Sequence, residues 1–370
     1  MKFVLISPKN RTVYNFRGEL VQELINEGYE VIVTGPNNED VSRIEDLGAK
    51  FELIPLNKNG INVVSDLKYI LSLFKLFRRE KPDVTLGYTI KPVIYGSIAA
   101  KLAGVKNVNS MITGAGYVFT AKSFKAKILK SLTSLLYYIG FKSSNTVIFQ
   151  NRDDLSEFIT RNLVNERKTR LVNGSGVNMN RFTPTTKPDQ ITFFMLSRVM
   201  YSKGVMEYLE AAKKVNCKYS NVKFMLLGAV EDLQDSLSKE ELEPYINDGI
   251  IDYYGETNDV TKYFNESSVF VLPSYREGTP RTVLEAMAMK RPVITTDAPG
   301  CKETVVDGVN GFIVPVRNSD AVADKMEWFI SNQEQIDIMG EESYKLCYEK
   351  FDVEKVNREM LKHLGIKSEV

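Results

Sequence analysis

Residues 269–289 gather the groups most able to do chemistry in this chain. A β-rich run ends at Leu272, a loop carries Glu277 and Gly278, and Thr279-Pro280 reads as an N-cap followed by proline at the first position of a helix ending near Met289. Gly278 lets a ligand approach the backbone, and the amides of Arg281, Thr282 and Val283 point out of the helix start with the helix dipole behind them. That arrangement suits an anion such as a diphosphate. Glu277 lies ahead of the helix and Glu285 more than a turn inside it, so the two carboxylates can accept hydroxyl hydrogen bonds at different depths of one elongated ligand. A sugar at one end and a ribose at the other would satisfy both. Each also has a plainer use: Glu285 as a surface ion pair with Arg281 one turn earlier, and Glu277 as a solvated loop residue.

A second cluster, Ser197-Arg198-Val199-Met200-Tyr201-Ser202-Lys203-Gly204, follows the apolar run 191–196 and precedes a helical pattern from Val205. Arg198 and Lys203, at a strand end beside a helix start, can balance the charge that grows on a departing diphosphate, leaving no task for a metal or other cofactor. Loop solubility is the competing use. In the first half, a loop over 7–17 enters a helix at Gly18. It lacks the G-x-G-x-x-G spacing and the acidic residue that grips an adenosine ribose, which disfavours dinucleotide binding. Asn15, Arg17 and the Gly18 amide can instead meet phosphate. Thr113-Gly114-Ala115-Gly116-Tyr117 either lines an acceptor channel or forms a plain tight turn.

Composition removes other chemistries. His363 is the only histidine, which excludes Ser-His-Asp and Cys-His catalysis and His-rich metal sites. Cys217, Cys301 and Cys347 are far apart and odd in number, against both a disulfide framework and a zinc site. No apolar stretch approaches the ~18 residues of a membrane span, and the opening apolar run stops too early, at Ser7-Pro8-Lys9, for a secretory leader. A cytoplasmic protein is expected. The net charge of +1 hides an asymmetry: residues 1–184 hold 26 Lys and Arg against 16 Asp and Glu, or +10, which leaves −9 for the rest. The first half therefore suits an anionic surface.

These residues need a scaffold, and the sequence supplies a repeating one. Runs at 3–6, 31–34, 51–56, 84–88, 108–112 and 146–149 read as buried strands, and helical patterns such as 18–27 and 66–79 lie between several of them. The rhythm restarts with strands at 191–196, 222–227, 250–254, 269–272 and 292–295. Strand and helix in alternation predict parallel sheets covered on both faces, hence an α/β chain of two Rossmann-like domains. The predicted domains are 1–177 and 185–351, with a linker within 173–187 and a last helix at about 352–370 that packs back onto the first domain. Two such sheets joined by a hinge leave a cleft, with ligands at the strands' carboxyl ends. Segments 65–81 and 122–142 mix apolar and basic residues; each reads as a helix packed on the sheet or as one lying on an anionic membrane.

Pro273-Ser274-x-x-Glu277-Gly278-x-Pro280, with Leu284-Glu285-Ala286-Met287-Ala288, resembles the signature of the GT-B family 4 of retaining glycosyltransferases. Gly174-Ser-Gly-Val-Asn178, Phe182-x-Pro184, Arg198 with Lys203-Gly204, Val293-Ile294-Thr295-Thr296-Asp297 and Asp307-Gly308-x-Asn310-Gly311 extend the likeness across the second domain. The resemblance implies that Glu285 holds the nucleotide ribose and Glu277 the transferred sugar, and that Arg198 and Lys203 grip the donor diphosphate. Gly18, Gly278, Thr279, Pro280 and the amides of Arg281, Thr282 and Val283 would complete that cradle, with the base near Tyr254-Gly255. Asn15-Phe16-Arg17, Tyr88-Thr-Ile-Lys91-Pro92, Tyr95-Gly96 and Thr113-Gly114-Ala-Gly116 resemble bacterial capsule, O-antigen and lipid-linked-oligosaccharide transferases. This implies a UDP-sugar donor and a polyprenyl-diphosphate-linked sugar acceptor, met by Asn15, Arg17, Tyr88, Lys91, Gly114 and Gly116. The partners would then be donor, acceptor and an anionic membrane, with no nucleic acid. Some family members carry a histidine near the reacting sugar; this chain offers Tyr88, Thr89 and Lys91 there instead. A GT-B sugar-nucleotide 2-epimerase and a non-catalytic membrane-peripheral binding protein are the rival readings, and the lone histidine and the intact Glu277, Glu285, Arg198 and Lys203 weigh against them.

Overall fold

A computed structural model describes residues 1–57, 62–114, 124–233, 235–257 and 259–366, except for the side chains of 124–129. The chain divides into two compact units, Met1–Ser175 with Val353–Val370, and Gly176–Asp352.

In the first unit the elements run β1 (Lys2–Ile6), α1 (Asn10–Phe16), α2 (Gly18–Asn26), β2 (Glu30–Gly35), α3 (Val41–Glu45), β3 (Lys50–Leu53), α4 (Val63–Glu80) and β4 (Val84–Tyr88). A π-helical turn, Pro92–Gly96, then leads into α5 (Ser97–Ala103), β5 (Asn107–Ile112), α6 (Phe124–Ser143), β6 (Thr146–Phe149), α7 (Arg152–Thr160) and β7 (Thr169–Leu171). All seven strands are parallel, in the order β3-β2-β1-β4-β5-β6-β7. The central strands β1 and β4 are buried on both faces because helices cover both. One face packs under α4, α5 and α6 through Leu73, Phe77, Ala100, Tyr137 and Phe141, and the other under α2 through Leu20, Val21 and Leu24. The loop predicted over 7–17 contains α1, whose residues have too few apolar positions to show a helical period.

The second unit repeats the plan with β8 (Thr192–Leu196), α8 (Val205–Asn216), β9 (Lys223–Leu227), α9 (Lys239–Asn247), β10 (Asp252–Tyr253), α10 (Thr261–Asn265), β11 (Val269–Leu272), α11 (Arg281–Ala288), β12 (Val293–Thr296) and β13 (Gly311–Val314). Three helices follow: α12 (Ser319–Ser331), α13 (Glu334–Lys350) and α14 (Val353–His363). The sheet order is β10-β9-β8-β11-β12-β13, again all parallel. Helix α14 belongs to the first unit, where Met360, Leu361 and Leu364 join the core beside α2. There His363 Nε2 meets the Leu171 carbonyl at 3.1 Å, so the single histidine is spent on holding this helix.

In both sheets the strand order reverses beside the first strand, between β1 and β4 and between β8 and β11. Loops leaving adjacent strands at such a point diverge to opposite faces and leave room above the strand ends.

Candidate functional site

At the reversal in the second unit, the turn after β8 meets the loop after β11. Gly204 makes the meeting close. Its φ is +73°, and a Cβ there would stand 2.0 Å from the Pro273 carbonyl oxygen. The Ser202 carbonyl accepts from the Tyr275 amide at 2.9 Å and from Ser274 Oγ at 3.1 Å, which fastens the two loops together. Lys203 Nζ consequently lies 2.5 Å from Glu277 Oε1, with the two side chains only 19% and 14% exposed. Ser274 Oγ is also 2.9 Å from that carboxylate oxygen, so its single proton serves either Glu277 or Ser202. The Glu277 amide donates to the Pro299 carbonyl at 2.9 Å and holds the loop from the other side.

Helix α11 begins just beyond. Pro280 occupies the extended cap position, at φ −70° and ψ 109°, and Arg281 is the first helical residue, one place later than the Thr279 cap predicted from sequence. No side chain caps the helix. The Val283 amide bonds to the Pro280 carbonyl at 3.1 Å, which removes it from the predicted set of outward donors, whereas the Thr282 amide has no partner among the described residues. One turn in, Arg281 Nε stands 3.3 Å from Glu285 Oε1, and both side chains are nearly buried, at 7% and 13% exposure. The pairing is thus the one a surface i, i+4 contact would give, but inside the protein. Burial holds the Glu285 carboxyl above the usual carboxylate range, while the charges of Arg281 and Arg181 draw it back down.

Arg198 lies apart from the Lys203–Glu277 pair in its contacts. Half-exposed, it binds Glu231 at 3.1 Å on the loop after β9. Tyr254 and Gly255 follow β10; the Tyr254 ring packs at 4.9 Å against Tyr263, and the Gly255 carbonyl accepts from the Gly228 amide at 2.7 Å. Gly278 and Thr279 sit in the loop between Glu277 and α11.

In the first unit, Tyr88 ends β4 with its hydroxyl 2.7 Å from Ser7 Oγ and 2.8 Å from Thr12 Oγ1. Burial raises its pKa. The Arg17 guanidinium is buried beside it, 5.7 Å from the ring centre and 3.1 Å from Met111 Sδ. Thr89 takes φ +68°, a strained value for a β-branched residue, as the chain turns off β4. Asn15 is half-buried on α1, and Gly114, at φ +118°, follows β5. Gly18 opens α2, where an added Cβ would make an ordinary 3.5 Å contact with Leu47, so the fold itself does not demand glycine. Gly116 lies outside the described residues. The Lys91 ammonium is 2.7 Å from Asp66 on α4, which Tyr95 also binds at 2.9 Å, in a nearly buried ion pair.

The structure therefore brings Lys203 and Glu277 together, and separately Arg281 and Glu285, while Arg198 and Lys91 take carboxylate partners that sequence reading did not foresee. Ser274 could have been found, since its position in Pro-Ser-x-x-Glu is fixed relative to Glu277. Glu231 and Asp66 carried no local signal. Among the described residues no group of three or more His, Cys, Asp or Glu is placed to hold a metal ion.

Residues 3–151 match the family model for glycosyl transferase 4-like domains, and residues 178–346 the model for glycosyl transferases group 1. The chain is similar to the N,N'-diacetylbacillosaminyl-diphospho-undecaprenol alpha-1,3-N-acetylgalactosaminyltransferase of Campylobacter jejuni, at 25% identity over 90% of each chain. It is similar also to the capsular polysaccharide biosynthesis glycosyltransferase CapM of Staphylococcus aureus, at 26% identity over 83% of each. A third relative is the UDP-Gal:alpha-D-GlcNAc-diphosphoundecaprenol alpha-1,3-galactosyltransferase of Escherichia coli, at 27% identity over 72% of this chain and 71% of that one. Among solved structures, Anabaena HepE in complex with UDP and glucose superposes with a TM-score of 0.79 at 16% identity, over 99% of both chains.

Proposed function

This chain belongs to the GT-B glycosyltransferases, with a glycosyl transferase 4-like first domain and a group 1 second domain, and we propose that it moves a hexose or N-acetylhexosamine from a UDP-sugar to a polyprenyl-diphosphate-linked sugar. The reaction would serve surface polysaccharide assembly, retain anomeric configuration and need no metal. The names of the Campylobacter and Escherichia relatives support a lipid-diphosphate acceptor, and the Staphylococcus relative supports the polysaccharide setting.

The observation that carries the reading is the Lys203–Glu277 pair beside the start of α11. A diphosphate is a stronger anion than a carboxylate, so a bound donor would draw Lys203 onto its phosphate oxygens and release Glu277 to accept from sugar hydroxyls. Arg198 would exchange Glu231 for phosphate in the same way. The Thr282 amide and the helix dipole would add to the cradle, and Glu285 would take the ribose. In the transfer step the acceptor oxygen bonds to the anomeric carbon as its bond to the diphosphate breaks. The electron pair and the acceptor proton both leave on UDP, so no protein base is required. Lys203, Arg198 and the helix start stabilise that charge as it forms.

The test is a panel of UDP-sugars incubated with a short-chain, water-soluble lipid-diphosphate sugar, with products read by mass. A glycosylated product formed in the presence of a chelator, with kcat/KM lowered about a hundredfold or more by Lys203→Ala, is expected. Turnover abolished by the chelator, or untouched by the substitution, overturns the assignment.

A further inference from the structure

Sequence reading left segments 65–81 and 122–142 open between packing helices and membrane-facing ones. In the structure each helix packs on the sheet and also leaves apolar side chains exposed. Helix α4 buries Asp66, Tyr69, Leu73, Leu76 and Phe77 against the sheet and exposes Val63, Val64, Leu67 and Leu71, each more than half accessible. On α6 Tyr137 and Phe141 are buried while Leu132, Leu135, Tyr138 and Ile139 face outward. The exposed residues recur every three or four positions, so each helix carries a second apolar stripe on the side away from its core. Helix α5 lies between them, in contact with both, and contributes exposed Leu102. A monomeric surface rarely leaves that many large apolar side chains uncovered on three adjacent helices.

Charge decides what covers the face. Between Asp83 and Asp153 the sequence contains no carboxylate and nine Lys or Arg. On α4 the two acids are already used: Asp66 is nearly buried against Lys91, and Glu80 binds Lys2 and Arg79. The outward cations Lys68, Lys75, Arg78 and Lys101 have no ion-pair partner among the described residues. Lys142 reaches back over the Tyr138 ring, 4.6 Å from its centre, with an apolar stem along the helix and its charge at the tip. At the carboxy-terminal ends of α4 and α5 a cavity of about 430 Å³ is walled by Arg78, Lys81 and Lys106 against the single acid Asp83. An apolar protein surface would leave these cations unpaired, and the same face of a second copy would set like charges together. An anionic lipid headgroup layer over acyl chains matches both components.

We infer that α4, α5 and α6 form one continuous membrane-docking face, with Leu67, Leu71, Leu102, Leu135 and Ile139 at the acyl boundary and Lys68, Lys75, Arg78, Lys101 and Lys142 among anionic headgroups. The inference rests on the lipid-linked acceptor proposed above, because such an acceptor is presented from the bilayer. It also fixes an orientation for the first unit. Helices α4 and α6 start at the strands' carboxyl ends, so the apolar residues Val63, Val64 and Leu67 lie on the edge nearest the loops bearing Tyr88 and Gly114.

The full chain is tested by co-sedimentation with phosphatidylcholine vesicles and with vesicles in which about a third of the lipid is phosphatidylglycerol, at low and high salt. Binding to the anionic vesicles, weakened by salt, is expected. At roughly fivefold in partition per cation near the surface, Lys68→Glu with Lys75→Glu and Arg78→Glu should lower binding about a hundredfold or more. Leu71→Asp with Leu135→Asp should abolish it while the circular dichroism spectrum stays that of the wild type. Both variants should glycosylate the water-soluble acceptor at the wild-type rate. Wild-type binding by either variant, equal binding to neutral vesicles, or a dimer in solution that the leucine substitutions dissociate overturns the inference. Loss of transfer to the soluble acceptor by the wild type itself would instead overturn the proposed reaction, and the vesicle result would stand separately.

Discussion

Glu285 is the residue at which burial and charge most directly oppose one another. Its carboxylate pairs with Arg281, whose guanidinium is itself nearly buried. Burial nevertheless outweighs Arg281 and Arg181, and the folded-state pKa stands above the unfolded value near 4.5. Raised in the folded state, the group binds protons more tightly folded than unfolded. Its contribution to stability is therefore fully present below about pH 4.5 and is lost as pH rises through the folded value. Glu285→Gln removes this titration and keeps the shape. The melting temperature of the wild type relative to Glu285→Gln is expected to fall as pH rises from about 4 towards neutrality, and a difference that stays flat or rises over that range contradicts the account. A bound UDP-sugar should reverse the order at neutral pH, since a carboxylate accepts from ribose hydroxyls at a site where an amide accepts at one oxygen only.

At the scale of elements, the site depends on how closely two loops lie. Lys203 and Glu277 are 74 residues apart and meet because β8 and β11 are neighbours and Gly204 lets the turn rest on Pro273. In Gly204→Ala the new methyl must move either the turn or the β11 loop, and a positive φ adds backbone strain. A destabilisation of about 1–3 kcal/mol is expected, measured by denaturant unfolding, together with a kcat/KM loss as large as that of Lys203→Ala. Stability and turnover both at wild-type level would mean that the contact is not what aligns the pair. The types of these residues were legible because Pro273 to Glu285 is a local pattern, and so were the strands whose apolar runs are uninterrupted, such as 3–6 and 269–272. Two strands were not. Thr169–Leu171 has three residues and a charge in the middle, and Gly311–Val314 opens on a glycine, so neither shows the alternation or length that marks a strand. The partners of Arg198 and Lys91 were hidden for a different reason: Glu231 and Asp66 lie on other elements, at distances in sequence that only the sheet order closes.

For the molecule as a whole, helix α14 brings the chain back from the second unit to the first. Residues 353–366 follow the whole second unit, yet Met360, Leu361 and Leu364 are almost fully buried in the core that β1, α2 and β2 build. Asn107 donates to the Leu364 carbonyl at 2.7 Å, and His363 meets Leu171. Burying three such side chains contributes roughly 5 kcal/mol, a large part of the stability of an ordinary domain. A chain ending at Asp352 should therefore lose stability in the first unit alone, because the second unit, Gly176–Asp352, keeps its core intact. Calorimetry would read this as a lowered or absent transition for one half beside a preserved transition for the other. UDP binding, which the proposed site assigns to the second unit, should persist in the shortened chain, while transfer to an acceptor is lost. Two transitions lowered equally, or neither, would show that α14 is not the element that closes the first unit.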